Sequence, residues 1–119
     1  MERALIWVAA AQAGYFVITG LWPLLHVRSF MAVTGPKTDV WLVKTVGVLI
    51  LVVGAAIGLA AWRRHVTPEV FVLAIGSAAA LGFVDVYYHL RGVIARVYLL
   101  DAVAEAVLIV AWVIAWRAA

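Results

Sequence analysis

Long stretches of apolar residues, separated by short polar connections, dominate the chain. Each stretch has about 19–23 residues, which at ~1.5 Å per residue is enough to cross a hydrocarbon core of ~30 Å. Because hydrocarbon offers the backbone no hydrogen-bond partners, each stretch is expected to be a helix. The pattern therefore predicts four transmembrane helices, at about residues 4–25, 41–62, 68–90 and 98–116.

The composition agrees with a bilayer as the solvent. Of the 119 residues, 68% are hydrophobic and 13% are charged, and the mean hydropathy is +1.13. Soluble domains are close to half apolar and a quarter charged. We therefore expect residues 1–119 to form a single domain, an all-α four-helix bundle integral to the membrane, with the lipid bilayer as its partner. Basic residues divide almost evenly between the two faces of the bundle, so the positive-inside rule favours neither orientation of this multi-pass protein.

The two halves of the chain resemble each other. The tripeptide His-Val-Arg at 26–28 returns as His-Leu-Arg at 89–91, and Ala-Trp-Arg at 61–63 returns at 115–117. Two tandem helical hairpins with the same orientation would be related by a pseudo-twofold axis along the membrane normal. The sequence thus suggests such a repeat, against the alternative of chance similarity between apolar segments.

Polar side chains within the predicted helices gather toward one face. We call it the long-loop face, because the longest connection, about residues 26–40, lies there with the connection 91–97; the opposite end, with residues 63–67, is the short-loop face. Asp101 and Glu105 are four residues apart and share one side of their helix. Charged groups in hydrocarbon cost ~2.5–3.5 kcal/mol each on insertion scales, so they are expected to turn inward and find partners.

The predicted constellation combines acids with bases. The candidate catalytic or proton-carrying residues are Glu105, Asp101, Asp85 and Lys44. The candidate ligand-binding residues are His26, Arg28, His89, Arg91, Arg96 and Thr19. If the charges form an ion-pair network, a salt bridge from Lys44 to Asp101 or Glu105 is expected at its centre. If the site binds a ligand, Lys44 or an arginine at the rim is expected to meet an anionic group, with Glu105 as the proton carrier.

Three functions fit such a constellation. One is a one-sided pocket that binds a small polar or amphipathic ligand, including in proton-coupled transport. The second is an acid/base enzyme in the membrane, of the isomerase or cyclase type, that acts on a lipid-like substrate, since carboxyl groups of unequal acidity are its ingredients. The third is a structural or accessory subunit whose buried charges form an ion-pair network. The sequence leaves open whether the protein is an enzyme.

Several other classes are disfavoured. Without cysteine the chain has no disulfides, thiolate metal sites or Cys nucleophile. No metal site is expected, because the Glu-x-x-His pairs of di-iron bundles are missing, and no cofactor is expected. Nine basic residues spread over both faces suit anionic lipid headgroups better than nucleic acid.

A small-residue face on the second predicted helix has two possible uses. Gly54 and Gly58 form a Gly-x-x-x-Gly pair, and Gly47 lies one heptad earlier. Such a face lets another helix approach closely. It predicts either packing within one bundle or a homo-oligomer through Gly54 and Gly58.

Overall fold

A computed structural model describes residues 2–119. Within them the chain forms five helices and no strand, with 84% of the residues helical. The helices are α1 (Glu2–Leu25), α2 (Val27–Thr34), α3 (Val40–Trp62), α4 (Pro68–Leu90) and α5 (Tyr98–Ala118). All except α2 are long and apolar enough to span a membrane. The predicted all-α four-helix membrane bundle is confirmed. Each end of the four spanning helices lies within two residues of the predicted position.

The long axis of the bundle suits a bilayer. Its principal extents are 44 × 28 × 18 Å, and a bilayer with its headgroup regions is about 40–45 Å thick. The chain is folded as two hairpins, since α1 packs mainly against α3 and α4 mainly against α5, while α1–α5 and α3–α4 contacts close the bundle. A symmetry axis between the hairpins stays a prediction.

Glycines set the distance between α1 and α3. A Cβ atom on Gly20 would lie 2.6 Å from the Gly47 carbonyl oxygen, and one on Gly54 would lie 2.9 Å from Phe16 Cβ. A Cβ on Gly58 would be 3.3 Å from Ala13 Cβ. The helices therefore meet at backbone contact near the long-loop face and separate toward the short-loop face.

The Gly54–Gly58 face is therefore occupied by α1 of the same chain. Of the two uses expected for it, the structure has packing within one bundle. Gly54 is buried against Phe16 and Val17. A homo-oligomer stays a prediction that the structure does not support.

A buried amide joins α1 to the second hairpin. Gln12 is 0% exposed. Its Nε2 donates hydrogen bonds to the Ala74 carbonyl oxygen at 2.9 Å and to Ser77 Oγ at 3.4 Å, and its Oε1 accepts one from Trp112 Nε1 at 2.6 Å. Both ends of the amide are satisfied, which is the condition for keeping a polar group in an apolar core.

The apolar core lies toward the short-loop face. Its buried members include Leu5, Ala9, Ile57 and Trp112. The Phe71 ring stands edge-on to Trp112, with 6.0 Å between the ring centroids. The long-loop half of the bundle holds the buried carboxyl groups instead. The apolar and the polar parts of the interior therefore follow one another along the membrane normal.

The connections are locally stabilised. His26 Nδ1 accepts a hydrogen bond from the Ser29 backbone N–H at 3.2 Å and so caps α2, a helix that the sequence pattern did not predict. Thr67 Oγ1 caps α4 by accepting from the Val70 N–H at 3.3 Å, and Pro68 occupies the first turn, where its missing N–H has no cost.

Candidate functional site

Three carboxyl groups meet in the long-loop half of the bundle. Asp85 comes from α4, and Asp101 and Glu105 come from α5. The Asp101 carboxyl lies close enough to each of the others for their charges to interact. Counted from Tyr98, Asp101 is ~5 Å and Glu105 ~10 Å along α5. The structure thus gathers three of the four residues predicted for the site. We call these three the carboxyl cluster.

Two members of the carboxyl cluster are deeply buried. Asp85 is 5% exposed and Glu105 is 1% exposed, whereas Asp101 is half-buried. Glu105 packs against α4 beside Gly82, where a Cβ atom would lie at an ordinary contact distance of 3.5 Å from Glu105 Cβ. Since Gly82 and Asp85 are three residues apart, both lie on one side of α4. Asp101 is the member of the cluster that is open to the surroundings.

Tyr15 reaches the cluster from α1. Its hydroxyl donates a hydrogen bond to Oδ1 of Asp101. The side chain is half-buried, and the residue is ~15 Å along α1 from Leu25. The cluster therefore draws on three of the four spanning helices.

Two oxygens in the cluster lack partners. Within residues 2–119, neither Asp85 Oδ2 nor Glu105 Oε1 has a hydrogen-bond partner, although both are buried. An unsatisfied buried polar atom in a protein costs about 1–3 kcal/mol, more when it is charged. The charged groups that act on Asp85 and Glu105 are other carboxyl groups. Across the part of the chain described, the cluster is acidic without a compensating base.

The predicted salt bridge of Lys44 is not supported by the structure. Lys44 is exposed on α3, and nothing supports an ion pair with Asp101 or Glu105. At 100° per residue, Lys44 is roughly 140° around α3 from Ile57, which faces the core. Its side chain is consequently turned away from the side of α3 that carries Ile57.

Thr19 and His26 have local hydrogen-bond partners. Thr19 Oγ1 donates to the Tyr15 carbonyl oxygen at 2.8 Å, one turn earlier in α1. His26 caps α2 through Ser29, as described above. The structure therefore gives both predicted ligand-binding residues a role in helix α1 or α2, and it does not bring His26 to the carboxyl cluster.

The remaining candidates lie at the end of α4, in the connection between α4 and α5, and in α2. His89 is half-buried, with Nδ1 at 3.3 Å from the Ile94 carbonyl oxygen. Arg91 donates to the Tyr87 hydroxyl at 3.2 Å and its guanidinium lies over that ring. Arg28 and Arg96 are exposed. These residues are placed at the long-loop face, outside the cluster of buried carboxyl groups.

Residues 2–119 contain no group of three or more His, Asp or Glu side chains arranged to hold a metal ion. The cluster is thus described by its carboxyl groups and one phenol, a set suited to binding protons or an N–H cation. Carboxylate oxygens accept hydrogen bonds from such donors and attract their charge.

Sequence reasoning missed Tyr15 and gave Gln12 no partner. A signal for Tyr15 was present: it is four residues before Thr19 in the same helix, so a polar pair faces one direction in an otherwise apolar segment. The backbone of Tyr15 lies far from the long-loop face, and the length of the tyrosine side chain brings its hydroxyl to Asp101.

The chain matches no model of a known protein family, and neither the curated proteins nor the solved structures include a match to it.

Proposed function

We propose that this multi-pass membrane protein binds a small amphipathic amine at the carboxyl cluster in exchange for protons. The observation that carries the proposal is the pair of buried, unpartnered oxygens, Asp85 Oδ2 and Glu105 Oε1, beside Asp101. Three carboxylates this close repel one another strongly in a medium of low dielectric constant. The cluster consequently requires positive charge, which protons or a bound cation can supply.

The chemistry of the ligand follows from the missing partners. A primary ammonium group has N–H donors for carboxyl oxygens and one positive charge. An attached alkyl chain would lie in the hydrocarbon that surrounds the bundle, at the depth of Asp101 and Glu105. A sodium ion would bring charge without N–H donors, and a quaternary cation would bring charge with no donor. We therefore favour a protonated alkylamine as the ligand class.

Exchange of protons for an amine is also the elementary step of proton-coupled transport. Asp101 is the half-buried member of the cluster and Glu105 the inner one. In this proposal the ammonium group approaches Asp101 from the long-loop half, and Glu105 gives up a proton as the ligand enters.

The test is calorimetric titration of octylammonium chloride into the protein in dodecyl maltoside. It is performed in two buffers of equal pH and different ionisation enthalpy. Proton release makes the apparent binding enthalpy differ between the buffers. The double variant Asp101→Asn/Glu105→Gln should lose binding, and the control Asp39→Asn/Glu69→Gln, which changes two exposed acids, should match the wild type.

The ligand's hydrogen bonds are tested with tetraphenylphosphonium, a cation without N–H groups. We expect it to bind more weakly than octylammonium. A binding enthalpy independent of the buffer, or equal losses in the two double variants, would overturn the proposal.

An acid/base enzyme is the second candidate, and one observation favours it. Tyr15 donates to Asp101 while Glu105 presents a free buried oxygen, so a proton donor and acceptors stand side by side. Lipid extracts of cells that express the wild type or Glu105→Gln separate the candidates. An enzyme changes the lipid profile in the wild type alone, whereas an amine-binding protein leaves the profiles alike.

The structural-subunit alternative depended on an ion-pair network. No such network is supported for the carboxyl cluster, so this function lacks the feature that suggested it.

A further inference from the structure

A groove opens between α1 and α3 at the short-loop face, far from the carboxyl cluster. It has a volume of about 720 Å³. It begins where the two helices separate, beyond the contact of Ala13 with Gly58. Pockets for small molecules range over about 300–1,000 Å³, so the groove is large enough for part of a lipid.

The floor of the groove is apolar and made by small side chains. Ala10, Ala13 and Gly58 line it within the spanning segments. From Arg3 to Ala13 the groove follows α1 for ~15 Å, which leads from the helix end into the hydrocarbon region. A flexible alkyl chain fits such a channel, because small residues leave the space that a larger side chain would fill.

The mouth of the groove carries positive charge. Arg3 and Arg64 are both exposed and line it, and no acidic side chain is among its described lining residues. Trp7 and Trp62 form its rims, both largely exposed. Tryptophan near a helix end is typical of the headgroup layer, and guanidinium groups there attract anionic phosphate. The positive charge of the mouth and its position at the depth of the headgroup layer therefore both favour an occupant with an anionic phosphate group.

Two backbone hydrogen bonds at the end of α3 fix the backbone conformation of Arg64. Arg64 has φ 54°, in the left-handed region. The His65 N–H bonds to the Ala60 carbonyl oxygen at 3.1 Å, and the Arg64 N–H to the Ala61 oxygen at 3.1 Å. This is the Schellman arrangement, in which glycine is the usual residue at the left-handed position. Arginine stands there at some conformational cost, with its side chain at the groove.

We propose that an anionic phospholipid binds in this groove. Its phosphate lies between Arg3 and Arg64, and one acyl chain runs along Ala10 toward Gly58. A zwitterionic phospholipid has the same acyl chains and phosphate, but its positive headgroup opposes the two guanidinium groups. The site consequently selects by headgroup charge.

The experiment is native mass spectrometry of the detergent-solubilised protein with equimolar dioleoyl phosphatidylglycerol and dioleoyl phosphatidylcholine. The wild type should retain mainly phosphatidylglycerol. Arg3→Gln/Arg64→Gln should lower that preference by about tenfold or more, since both basic side chains that attract the anionic headgroup are removed. The matched control is Arg63→Gln/Arg117→Gln, which removes the same charge from exposed positions that do not line the groove.

A second pair of variants tests the acyl chain. Ala10→Phe fills the groove and should reduce retention of both lipids, whereas Ala80→Phe, at an exposed position on α4, should not. Excess inorganic phosphate should leave the bound phospholipid in place.

Three results would overturn the proposal. Equal loss of preference in both arginine double variants would indicate general surface attraction. Displacement by inorganic phosphate would indicate an anion site without a lipid. A dimer in the wild-type spectrum that Ala10→Phe converts to a monomer, with lipid retention unchanged, would assign the groove to a second copy of the chain.

Discussion

The Tyr15 hydroxyl donates a hydrogen bond to Oδ1 of Asp101, and this bond joins the two hairpins at the carboxyl cluster. Tyr15 belongs to α1 and Asp101 to α5, whose helices have few contacts compared with those within each hairpin. Hydrogen bonds between spanning helices contribute on average ~0.6 kcal/mol and up to ~1.7 kcal/mol. A charged acceptor places this bond toward the upper part of that range.

The first prediction concerns that bond. A double-mutant cycle of Tyr15→Phe and Asp101→Ala should give a coupling energy of about 1–2 kcal/mol, because each single variant removes the same hydrogen bond. The free energy of unfolding is measured in mixed detergent micelles. Tyr88→Phe serves as the control, since Tyr88 is exposed and stacks edge-on to Tyr87; it should show no coupling to Asp101→Ala. A coupling energy near zero for Tyr15 would contradict the bond.

The second prediction separates an acidic cluster from an ion-pair network. Glu105→Gln keeps the shape of the side chain and prevents a third negative charge from forming beside Asp85 and Asp101. We expect the free energy of unfolding to stay the same or rise, because no cation loses its partner. Removing one partner of a buried ion pair would instead cost about 3–5 kcal/mol. Asp39→Asn, at an exposed position without a side-chain capping bond, provides the control for the loss of a carboxylate.

The third prediction is the pH dependence of amine binding and depends on the proposed exchange. If binding releases protons, then protons compete with the ligand, and the affinity for octylammonium rises with pH. Each proton released strengthens the affinity by up to about tenfold per pH unit. Titrations at several pH values below the range in which the amine itself loses its proton measure the slope. A flat profile, or an affinity that falls as the pH increases, would argue against the exchange.

The fourth prediction concerns Gln12. Gln12→Leu removes the acceptor of the Trp112 N–H and the donor to the Ala74 carbonyl oxygen, and leaves both groups buried. The expected loss is about 1–3 kcal/mol in the free energy of unfolding. A double-mutant cycle of Gln12→Leu and Trp112→Phe should show coupling, because each variant removes the same hydrogen bond. Thermal unfolding is followed by far-ultraviolet circular dichroism, which reports helix content, for each variant. An unchanged stability in Gln12→Leu would contradict the role of the Gln12 hydrogen bonds.

The spanning helices could be predicted because hydrocarbon thickness dictates their length. The bounds near Pro68 and Leu90 were especially well marked, with Thr67 as a cap and proline in the first turn. The convergence of Asp101 and Glu105 was also predictable, because four residues make one turn and membrane insertion disfavours charges that face lipid.

The orientation of α3 could not be predicted in the same way. Its residues are apolar almost all round, so hydrophobic periodicity does not define an inner face. The contact of Gly47 and Gly54 with α1 decides the rotation, and that contact depends on the partner helix. This rotation of α3 about its own axis leaves Lys44 exposed, outside the carboxyl cluster. Tyr15 escaped prediction for a related reason, since only the position of α5 places Asp101 within reach of its hydroxyl.

The last prediction tests the close approach of α1 and α3. Gly20→Ala should destabilise the protein severely, because the new Cβ would lie 2.6 Å from the Gly47 carbonyl oxygen and 2.8 Å from the Leu51 nitrogen. Both are backbone atoms, so relief requires the helices to move apart, which also loosens Gly54 from Phe16. Gly14→Ala is the matched control on the same helix, since nothing lies within 4 Å of its added Cβ. It should be neutral or stabilising by up to about 1 kcal/mol, from the better helix propensity of alanine. Unfolding in mixed micelles compares the two variants, and similar stabilities would mean that the glycine contact does not set the spacing of the hairpin.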